Sequence, residues 1–453
     1  MNTVDFDMDW TSGVFARPVS SSAPAAELVF AGDFCPSEAQ ARGLRDDPRG
    51  FFGALDPLLR NADLSVANLE CVFTDRPDRL VKDGPPLVFP AGALDLIDAF
   101  APGLWCMANN HILDAGAGGL LDTCRALDQR GRRRCGAGSF DEAAEAARYQ
   151  LGGVRLAIVN VAEAEEAAAP EGGHGASAWD AGRTAEQVAR LKAEGLCVVV
   201  VIHAGREYLP VPPPYIRHGY RALAEAGADL VVGHHPHVPQ GIECHRGTPI
   251  VYSLGNFVMH TPGSDWRRRL GLAVKARCTP EGVAHLELIP LDVGERQVTP
   301  LAGPERAEAL RRLASLSVAA ADDTLADEIW DAFTDHWVAA QMSDEVATSM
   351  ALLAGEDALM RALLRLLAEN GARSAWSRIG HRVIPFLVKR MRSSQPSPAA
   401  GPSRMRGATR ARNRFATRAH RELYLHALDR ILSQRVGAST DRARALLAWP
   451  PAP

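Results

Sequence analysis

The residues best suited to chemistry follow segments of the sequence that read as buried strands. The densest cluster is the run GADLVVGHHPHVPQG at 227–241, where three histidines fall within four positions. Residues of this kind close five strand-like segments in all: Asp33, Asn68 with Glu70, Asn110 with His111, His203, and the trio His234, His235 and His237. Ligands of open α/β sheets bind at the carboxyl ends of the strands. Any one of these residues alone fits a turn or a surface position, but the series favours one shared site.

The donor atoms of this set are typical of a metal centre. Carboxylate, carboxamide and imidazole groups suit Mn²⁺, iron, Zn²⁺ or Mg²⁺ better than a soft ion. The set is large for a single ion, and it fits two divalent ions that share a bridging carboxylate at a spacing of about 3.5–4 Å. Two adjacent cations lower the pKa of a shared water and neutralise the oxygens of a phosphate-like group. The residues therefore indicate a binuclear metal-dependent enzyme.

Strand-like and helical segments alternate through the first two-thirds of the chain, as an α/β domain with a central buried sheet requires. The predicted strands are 27–33, 64–70, 104–110, 154–161, 196–205, 229–235, 249–258 and 270–277. The predicted helices between them are 117–131, 184–195 and 219–227. This alternation brings the polar strand ends to a common edge.

The sequence outside this domain changes character. Residues 1–25 are predicted to be a disordered tail. Amphipathic helical patterns predict a helical domain at 300–392, and a Pro, Ser, Gly and Ala stretch at 393–403 reads as a linker. The last segment, 404–453, is predicted to be an arginine-rich helical tail. A solvated face, or a helix docked on an acidic surface of the same protein, explains those arginines better than contacts with phosphates.

Composition narrows the class of protein. A length of 453 residues exceeds one ordinary domain. The net charge of −4 gives no support to nucleic-acid binding, and no apolar run is long enough to span a bilayer. The acidic N-terminus does not resemble a signal peptide, so we expect a cytoplasmic protein without a membrane anchor. The eight cysteines form no CxxC pair and are predicted to be buried free thiols.

Six motifs resemble those of the CapA family, the capsule and poly-γ-glutamate synthesis proteins related to the calcineurin-like metallophosphoesterases. These motifs are GDFC (32–35), ANLE (67–70), ANNHILDAG (108–116), IHAGREY (202–208), GADLVVGHHPHVPQG (227–241) and YSLGNF (252–257). The resemblance covers residues 26–295. It implies a four-layer α/β/β/α metallophosphoesterase-like sandwich, with a binuclear metal site at the strand ends and an additional helical region after it.

The resemblance implies a set of metal ligands: Asp33, Glu70, Asn110, His203, His235 and His237. Glu70 occupies the place of the bridging aspartate of the superfamily. Cys35 occupies the place of a ligating histidine and is not assigned as a ligand. The GHHPH run allows two registers, in which either His234 or His235 is the first ligand. We favour His235 with His237 and keep His234 as an outer partner.

The resemblance also implies roles beyond the ligands. His111 is expected beside the phosphate, where it protonates the leaving oxygen or stabilises the transition state. Glu207 is expected either to orient an imidazole or to hold an amine or hydroxyl of the substrate. The candidate substrate-binding residues are Asn68, Lys82, Arg206, His234 and Asn256. A turn is the alternative for Asn68 and Asn256, and an ordinary surface charge is the alternative for Lys82, Arg206 and Glu207.

The implied activity is that of a metal-dependent hydrolase or transferase at a phosphate or a γ-glutamyl amide centre. The expected process is poly-γ-glutamate, capsule or related peptide-metabolite biosynthesis. The expected partners are an anionic small molecule or γ-glutamyl polymer and other biosynthetic enzymes. A chain without an anchor leaves a soluble phosphoesterase or tailoring enzyme open. A non-catalytic protein that binds a polyanion or a partner enzyme is the alternative. Nuclease activity is disfavoured because the basic residues are balanced elsewhere in the chain.

Overall fold

The structure of the protein is a computed structural model. It describes residues 8–18, 23–80, 82, 84–100, 103–263, 265–337, 422–423, 426–427, 430 and 440–448. These residues form two compact units: the first holds those up to residue 326 except 82, 84 and 85, together with residue 448, and the second holds the others. The predicted linker at 393–403, and most of the predicted helical domain and arginine-rich tail, lie outside the described residues.

The strands are numbered in chain order along the described residues. They are β1 Met8–Asp9, β2 Val14–Ala16, β3 Ala26–Phe34, β4 Leu64–Leu69, β5 Val72–Phe73, β6 Val88–Phe89, β7 Leu104–Cys106, β8 Arg134–Cys135, β9 Ala137–Ser139, β10 Ala147–Leu151, β11 Val154–Ala162, β12 His174–Ala176, β13 Cys197–His203, β14 Leu230–His234, β15 Ile242–His245, β16 Thr248–Val251, β17 Asn256–Val258, β18 Leu270–Thr279, β19 Gly282–Val293 and β20 Val298–Pro300.

The α-helices of the described residues are α1 Glu38–Asp46, α2 Pro48–Phe52, α3 Asp56–Asn61, α4 Asp95–Phe100, α5 Gly116–Gln129, α6 Phe140–Ala144, α7 Ala181–Ala193, α8 Pro214–Glu225, α9 Gly303–Ala321, α10 Asp323–Trp337 and α11 Asp441–Leu447. Short 3₁₀ turns occur at Gly53–Leu55, Ala91–Ala93, Glu165–Ala167 and Trp266–Arg269. No helix in the described part of the chain is both long and apolar enough to cross a membrane.

Two large sheets dominate the first unit. The first sheet runs in the order β1-β2-β19-β18-β3-β4-β7-β8, with β17 beside β3 and β20 beside β19. The second sheet runs in the order β10-β11-β13-β14-β16-β15. In the first sheet the half formed by β3, β4, β7 and β8 is parallel, and the half from β18 to β1 is antiparallel. In the second sheet the central strands β11, β13, β14 and β16 are parallel, and the antiparallel strands β10 and β15 lie at the edges. The parallel strands therefore end on the same side of each sheet.

The alternation of side chains shows how the layers pack. In β3, Leu28 and Phe30 lie in one apolar cluster with residues of the second sheet, such as Val199 and Val201 of β13. The intervening residues of β3 pack against α1 to α5, and those of β13 pack against α7 and α8. Because both faces of each sheet are covered, the central strands are almost continuously apolar. The result is the predicted four-layer α/β/β/α sandwich.

Strand register brings the polar strand ends together. Asp33 lies opposite Asn68 on β4 and opposite Asn256 on β17, while His203 lies opposite His234 on β14. Glycine precedes Asp33 because a Cβ on Gly32 would lie 2.0 Å from the carbonyl oxygen of Gly255. The glycine of the GHHPH run is required for the same reason. A Cβ on Gly233 would lie 2.0 Å from the carbonyl oxygen of Tyr252.

Two of the predicted boundaries are wrong. Residues 8–16, inside the predicted disordered tail, form β1 and β2, and β2 pairs with β19 at the edge of the first sheet. The helix α9, assigned from the sequence to a separate helical domain, belongs to the first unit. The Ser317 hydroxyl on α9 accepts a hydrogen bond from the Ile242 amide at 2.8 Å. Short edge strands and a docked helix owe their place to tertiary pairing, which local pattern does not reveal.

The second unit contains one buried ion-pair cluster among its described residues. Arg430, from the segment predicted to be an arginine-rich tail, donates to both carboxylate oxygens of Asp335 at 2.6 Å. It also lies 2.5 Å from Asp331, which accepts a hydrogen bond from His426. This arginine therefore contacts acidic residues of α10 in the same protein.

Candidate metal centre

The candidate centre lies at the carboxyl ends of the parallel strands. Asp33 is near the end of β3, and Glu70 directly follows β4. The turn after β7 carries Asn110, and β13 ends at His203. The remaining predicted ligands, His235 and His237, lie in the turn after β14. All six predicted metal ligands are buried, although nothing in the apolar core requires a polar residue at these positions.

Donor atoms from these residues converge into two groups. The first, called here the Asp33 group, consists of Asp33, Glu70 and His237. The second, called here the His203 group, consists of Glu70, His203 and His235. Within each group the donor atoms lie within 4.8 Å of one another. Glu70 is common to both, which is the arrangement expected of a carboxylate that bridges two ions.

The His203 group is built around one ring nitrogen. His203 Nε2 lies 3.1 Å from the side-chain oxygen Oδ1 of Asn110, 3.1 Å from His235 Nδ1 and 3.6 Å from Glu70 Oε1. Two imidazole nitrogens at this distance share either one proton or a cation. A cation fits the surrounding oxygens of Asn110 and Glu70, so the structure places Asn110 with this group.

The Asp33 group has a different surrounding. Asp33 accepts hydrogen bonds at Oδ1 from the Asn68 amide at 2.8 Å and from His234 Nδ1 at 2.9 Å. Its other oxygen lies 3.6 Å from His237 Nδ1. These bonds hold the carboxylate in one orientation. In this geometry His234 supports Asp33 and belongs to neither donor group.

His237 is oriented by an amide on the neighbouring strand. Its Nδ1 lies 2.9 Å from the side-chain oxygen Oδ1 of Asn256, and its Nε2 faces Glu70 Oε1 at 3.8 Å. An imidazole whose second nitrogen is bound in this way is typical of a metal ligand. The turn itself is strained, since His235 and His237 have φ values of 95° and 58°. Backbone strain of this kind is usually stored at functional sites.

His111 is held by a carboxylate from its own turn. Its Nδ1 lies 2.7 Å from Asp114 Oδ2, and its backbone amide donates to the Asn109 side-chain oxygen at 3.1 Å. Asn109 in turn donates to the Asn68 side-chain oxygen and to the Leu69 carbonyl. The structure thus places His111 in a fixed orientation in the same network that supports Asp33.

The predicted substrate-binding residues divide into two kinds. Asn68 and His234 are only 1–2 % exposed and bond to Asp33, and Asn256 is buried against His237. In this structure these three residues contact predicted ligands, and their contact with substrate stays a prediction. Arg206 is partly exposed in the turn after His203. Lys82 belongs to the second unit.

Burial favours the neutral form of two imidazoles, those of His203 and His235. Burial, and then the neighbouring histidines, lower the pKa of His203 well below its usual range. Burial lowers the pKa of His235 to about 4 although Glu207 works in the other direction. Desolvation would raise the pKa of Glu207, but the nearby His235, His237 and Arg206 lower it on balance. Neutral imidazole and ionised carboxylate are the forms that bind a metal.

Neighbouring groups favour the ionised form of Asp33. Burial would raise the pKa of this carboxylic acid, but the hydrogen bond from His234 and the charges of His234 and His237 lower it below its usual value. The donor set therefore fits divalent ions: buried carboxylates and imidazoles converge within bonding reach, and their protonation states suit binding. Cys35 is buried and belongs to neither donor group of the described residues.

Two residues of the network were not predicted from the sequence. Asp114 and Asn109 both lie in the quoted ANNHILDAG motif, yet neither was assigned a role. The signal was present in the motif, because a carboxylate three residues after a histidine can reach its ring when the turn is helical. The structure shows a hydrogen-bonded turn there, with the Asp114 amide donating to the His111 carbonyl at 3.0 Å.

Comparison with known families now assigns the chain. The model of the family described as "Bacterial capsule synthesis protein PGA_cap" matches residues 27–261, which is more than half of the sequence. The chain belongs to this family. The matched segment contains every residue of both donor groups, together with His111, Asp114 and Asn256. The resemblance to CapA proteins is therefore confirmed.

Curated relatives carry corresponding names. The chain is 34 % identical over 199 residues to the PGA biosynthesis protein CapA of Bacillus subtilis (strain 168), covering 43 % of this chain and 52 % of that protein. It is 32 % identical over 203 residues to the capsule biosynthesis protein CapA of Bacillus anthracis, covering 43 % and 49 %. The chain thus spans about half the length of these two relatives.

A further relative is aligned over more of its length. A Mycobacterium tuberculosis (strain ATCC 25618 / H37Rv) protein, described as a probable polyglutamine synthesis accessory protein, is 30 % identical over 265 residues, which cover 52 % of this chain and 67 % of that protein. Among solved structures, the NAD nucleotidase of Haemophilus influenzae aligns with a TM-score of 0.35 and 14 % identity over 65 % of this chain and 63 % of that one. Because its TM-score is so low, this solved structure adds nothing to the family assignment.

Proposed function

We propose that this PGA_cap family member is a binuclear metal-dependent hydrolase or transferase that acts at a phosphate or a γ-glutamyl amide centre. The observation that carries the proposal is the sharing of Glu70 between the Asp33 group and the His203 group. A buried carboxylate between two sets of imidazole and carboxylate donors is costly without cations to compensate it. Family membership supports a role in poly-γ-glutamate, capsule or related peptide-metabolite biosynthesis.

The ligand roles follow from the two groups. Asp33, Glu70 and His237 would hold one ion, and Glu70, His203 and His235, with Asn110, would hold the other. When bound, the ions would supply Lewis-acid polarisation of the substrate and a water of lowered pKa. Asn68, His234 and Asn256 keep the ligands oriented through the hydrogen bonds described above.

Proton transfer is assigned to His111. Asp114 holds the ring through Nδ1, and the contact with a substrate is assigned to Nε2. A histidine held by a carboxylate in this way can donate a proton to a leaving oxygen or nitrogen and stabilise its developing charge. Glu207 is exposed at the rim of the site and is ionised, which suits an amine or hydroxyl of the substrate.

Metal analysis combined with turnover tests the proposal. The purified protein, loaded with Mn²⁺, should hold close to two ions per chain and hydrolyse a generic aryl phosphate. His235→Ala and His237→Ala should each lower metal content and turnover together. His218→Ala is the matched control, because His218 is exposed on α8 and belongs to neither donor group. Its metal content and turnover should equal those of the unaltered protein.

The contrary result would favour the non-catalytic alternative. If His235→Ala and His237→Ala keep the metal content of the control, the donor groups do not bind ions as proposed. If the ions bind but neither an aryl phosphate nor a γ-glutamyl amide is turned over, the site serves structure or partner binding. Cys35, which stands where related phosphoesterases have a ligating histidine, is the residue that gives this alternative its weight.

A further inference from the structure

A cavity of about 300 Å³ opens beside the turn that carries the predicted ligands. Val238 and Pro239 form part of its wall, and they directly follow His237 in the chain. The rest of the wall combines apolar side chains such as Leu270 and Leu316 with three arginines. A pocket of this size that combines apolar walls with a few charged groups is typical of a small-ligand site.

The three arginines of the cavity differ in their surroundings. Arg267 is bound in a fork by Glu308, with N–O distances of 2.7 and 2.8 Å. Arg312 is only 8 % exposed, and burial lowers its pKa to about 10, which leaves it charged at neutral pH. Arg268 is exposed and forms no ion pair with any carboxylate of the described residues. The cavity therefore presents cations to a ligand.

Tyr208 connects the cavity with the metal centre. It lines the cavity, its ring centroid lies 6.0 Å from that of His237, and its side chain is unusually exposed for an aromatic residue, at 62 %. Its backbone has a φ of 60°, held by a hydrogen bond from its amide to the Pro236 carbonyl at 2.8 Å. A bulky residue kept in that region stores strain, and such strain clusters at functional positions.

We propose that this cavity is a substrate subsite for a carboxylate-bearing chain, with Arg268 and Arg312 facing its carboxylates and Tyr208 lying between the subsite and the metal centre. The apolar walls suit methylene groups, and the arginines suit the carboxylates that such groups separate, as in a glutamyl unit. The subsite rests on the proposed function in one respect, which is that the bound chain would react at the donor groups.

Calorimetric titration of a γ-linked tetraglutamate into the purified protein tests the subsite. Arg268→Gln should weaken binding roughly tenfold, because it removes a charge-assisted hydrogen bond. Arg190→Gln is the matched control: Arg190 is an exposed arginine of α7 that does not line the cavity. Its affinity should be unchanged. A tetraglutamate whose free carboxylates are converted to amides should not bind.

Several outcomes would overturn the subsite. One is equal affinity of the unaltered protein and Arg268→Gln, and another is equal binding of the amide oligomer. In Glu70→Gln, whose metal centre is disabled, inorganic phosphate that displaces the peptide at matched ionic strength would show a phosphate site in the cavity and equally overturn the assignment to carboxylates. Glu70→Gln separates the two proposals: Arg268-dependent binding that survives in this variant supports the subsite even where metal-dependent turnover fails.

Discussion

The two donor groups share one carboxylate but are built from different parts of the fold. In the His203 group, two imidazoles come from the second sheet and approach each other to 3.1 Å, with Asn110 supplying an oxygen from the first sheet. In the Asp33 group, the carboxylate comes from the first sheet and is bound by two side chains before any ion is considered. One group is rich in nitrogen and the other is rich in hydrogen-bonded oxygen.

This difference indicates that the two ions would not be held equally. The Asp33 group has one further carboxylate and one imidazole besides Glu70, and it depends on the orientation of these donors. The His203 group has an additional oxygen in Asn110 and two imidazoles kept neutral by burial. We therefore expect the His203 group to bind its ion more tightly. Glu70 alone should affect both groups.

Removing the shared carboxylate should give the largest effect. In Glu70→Gln the bridging charge is lost, so both ions should dissociate and hydrolysis of an aryl phosphate should fall by at least about 10³-fold, since the ions supply several kcal/mol of transition-state stabilisation. Metal content per chain measures this directly. If Glu70→Gln retained one ion at full occupancy, Glu70 would belong to one group only.

Substitution of His111 should lower turnover without removing metal. His111→Gln should reduce kcat by roughly 10²-fold or more, as expected for loss of a general acid. Asp114→Asn should reduce it less and shift the pH profile, because Asp114 positions the ring. Loss of metal in His111→Gln would instead place His111 among the ligands. An unchanged kcat would remove it from the mechanism.

Asn256→Ala should weaken metal binding at the Asp33 group and leave metal binding at the His203 group unchanged. It removes the hydrogen bond to His237 and should weaken the ion of the Asp33 group about 10–100-fold, as measured for such orienting partners elsewhere. Mn²⁺ titration should then show one tight and one weakened site. Equal weakening of both sites would show that the groups act as one unit, and the comparison between them would fail.

The smallest expected effect concerns stability of the metal-free protein. Burial lowers the pKa values of His203 and His235, so below about pH 6.5 the unfolded chain binds protons at these residues that the folded chain does not. For His235 this difference extends down to about pH 4. The free energy of unfolding should fall with decreasing pH by up to about 1.4 kcal/mol per unit for each histidine. Denaturant titrations of the chelated protein at several pH values should show that the free energy of unfolding of His235→Asn depends less steeply on pH than that of the unaltered protein. An equal slope would contradict the burial argument.

Much of the site could be predicted because its chemistry follows strand ends. His203 ends a strand of almost unbroken valines, so the polar residue stands out, and the parallel arrangement makes such ends converge. It was harder to predict which histidines of the GHHPH run enter the donor groups. His235 and His237 enter the donor groups with left-handed backbone at both residues, and side-chain pattern carries no signal for that conformation.

Other features depend on tertiary contacts. The supporting role of His234 arises because β14 places it against Asp33, 201 residues away in the sequence. The strands β1 and β2 contain two and three residues, too few for a periodic pattern. Tyr208 and Arg268 meet in one cavity only through the fold, since nothing in their local sequence links them.

The most direct test is a crystal structure of the protein grown with Mn²⁺, with an anomalous difference map calculated at the manganese edge. The account predicts two peaks about 3.5–4 Å apart on either side of Glu70, one beside Asp33 and His237 and the other beside His203 and His235. A single peak, or peaks that do not contact Glu70, would contradict it.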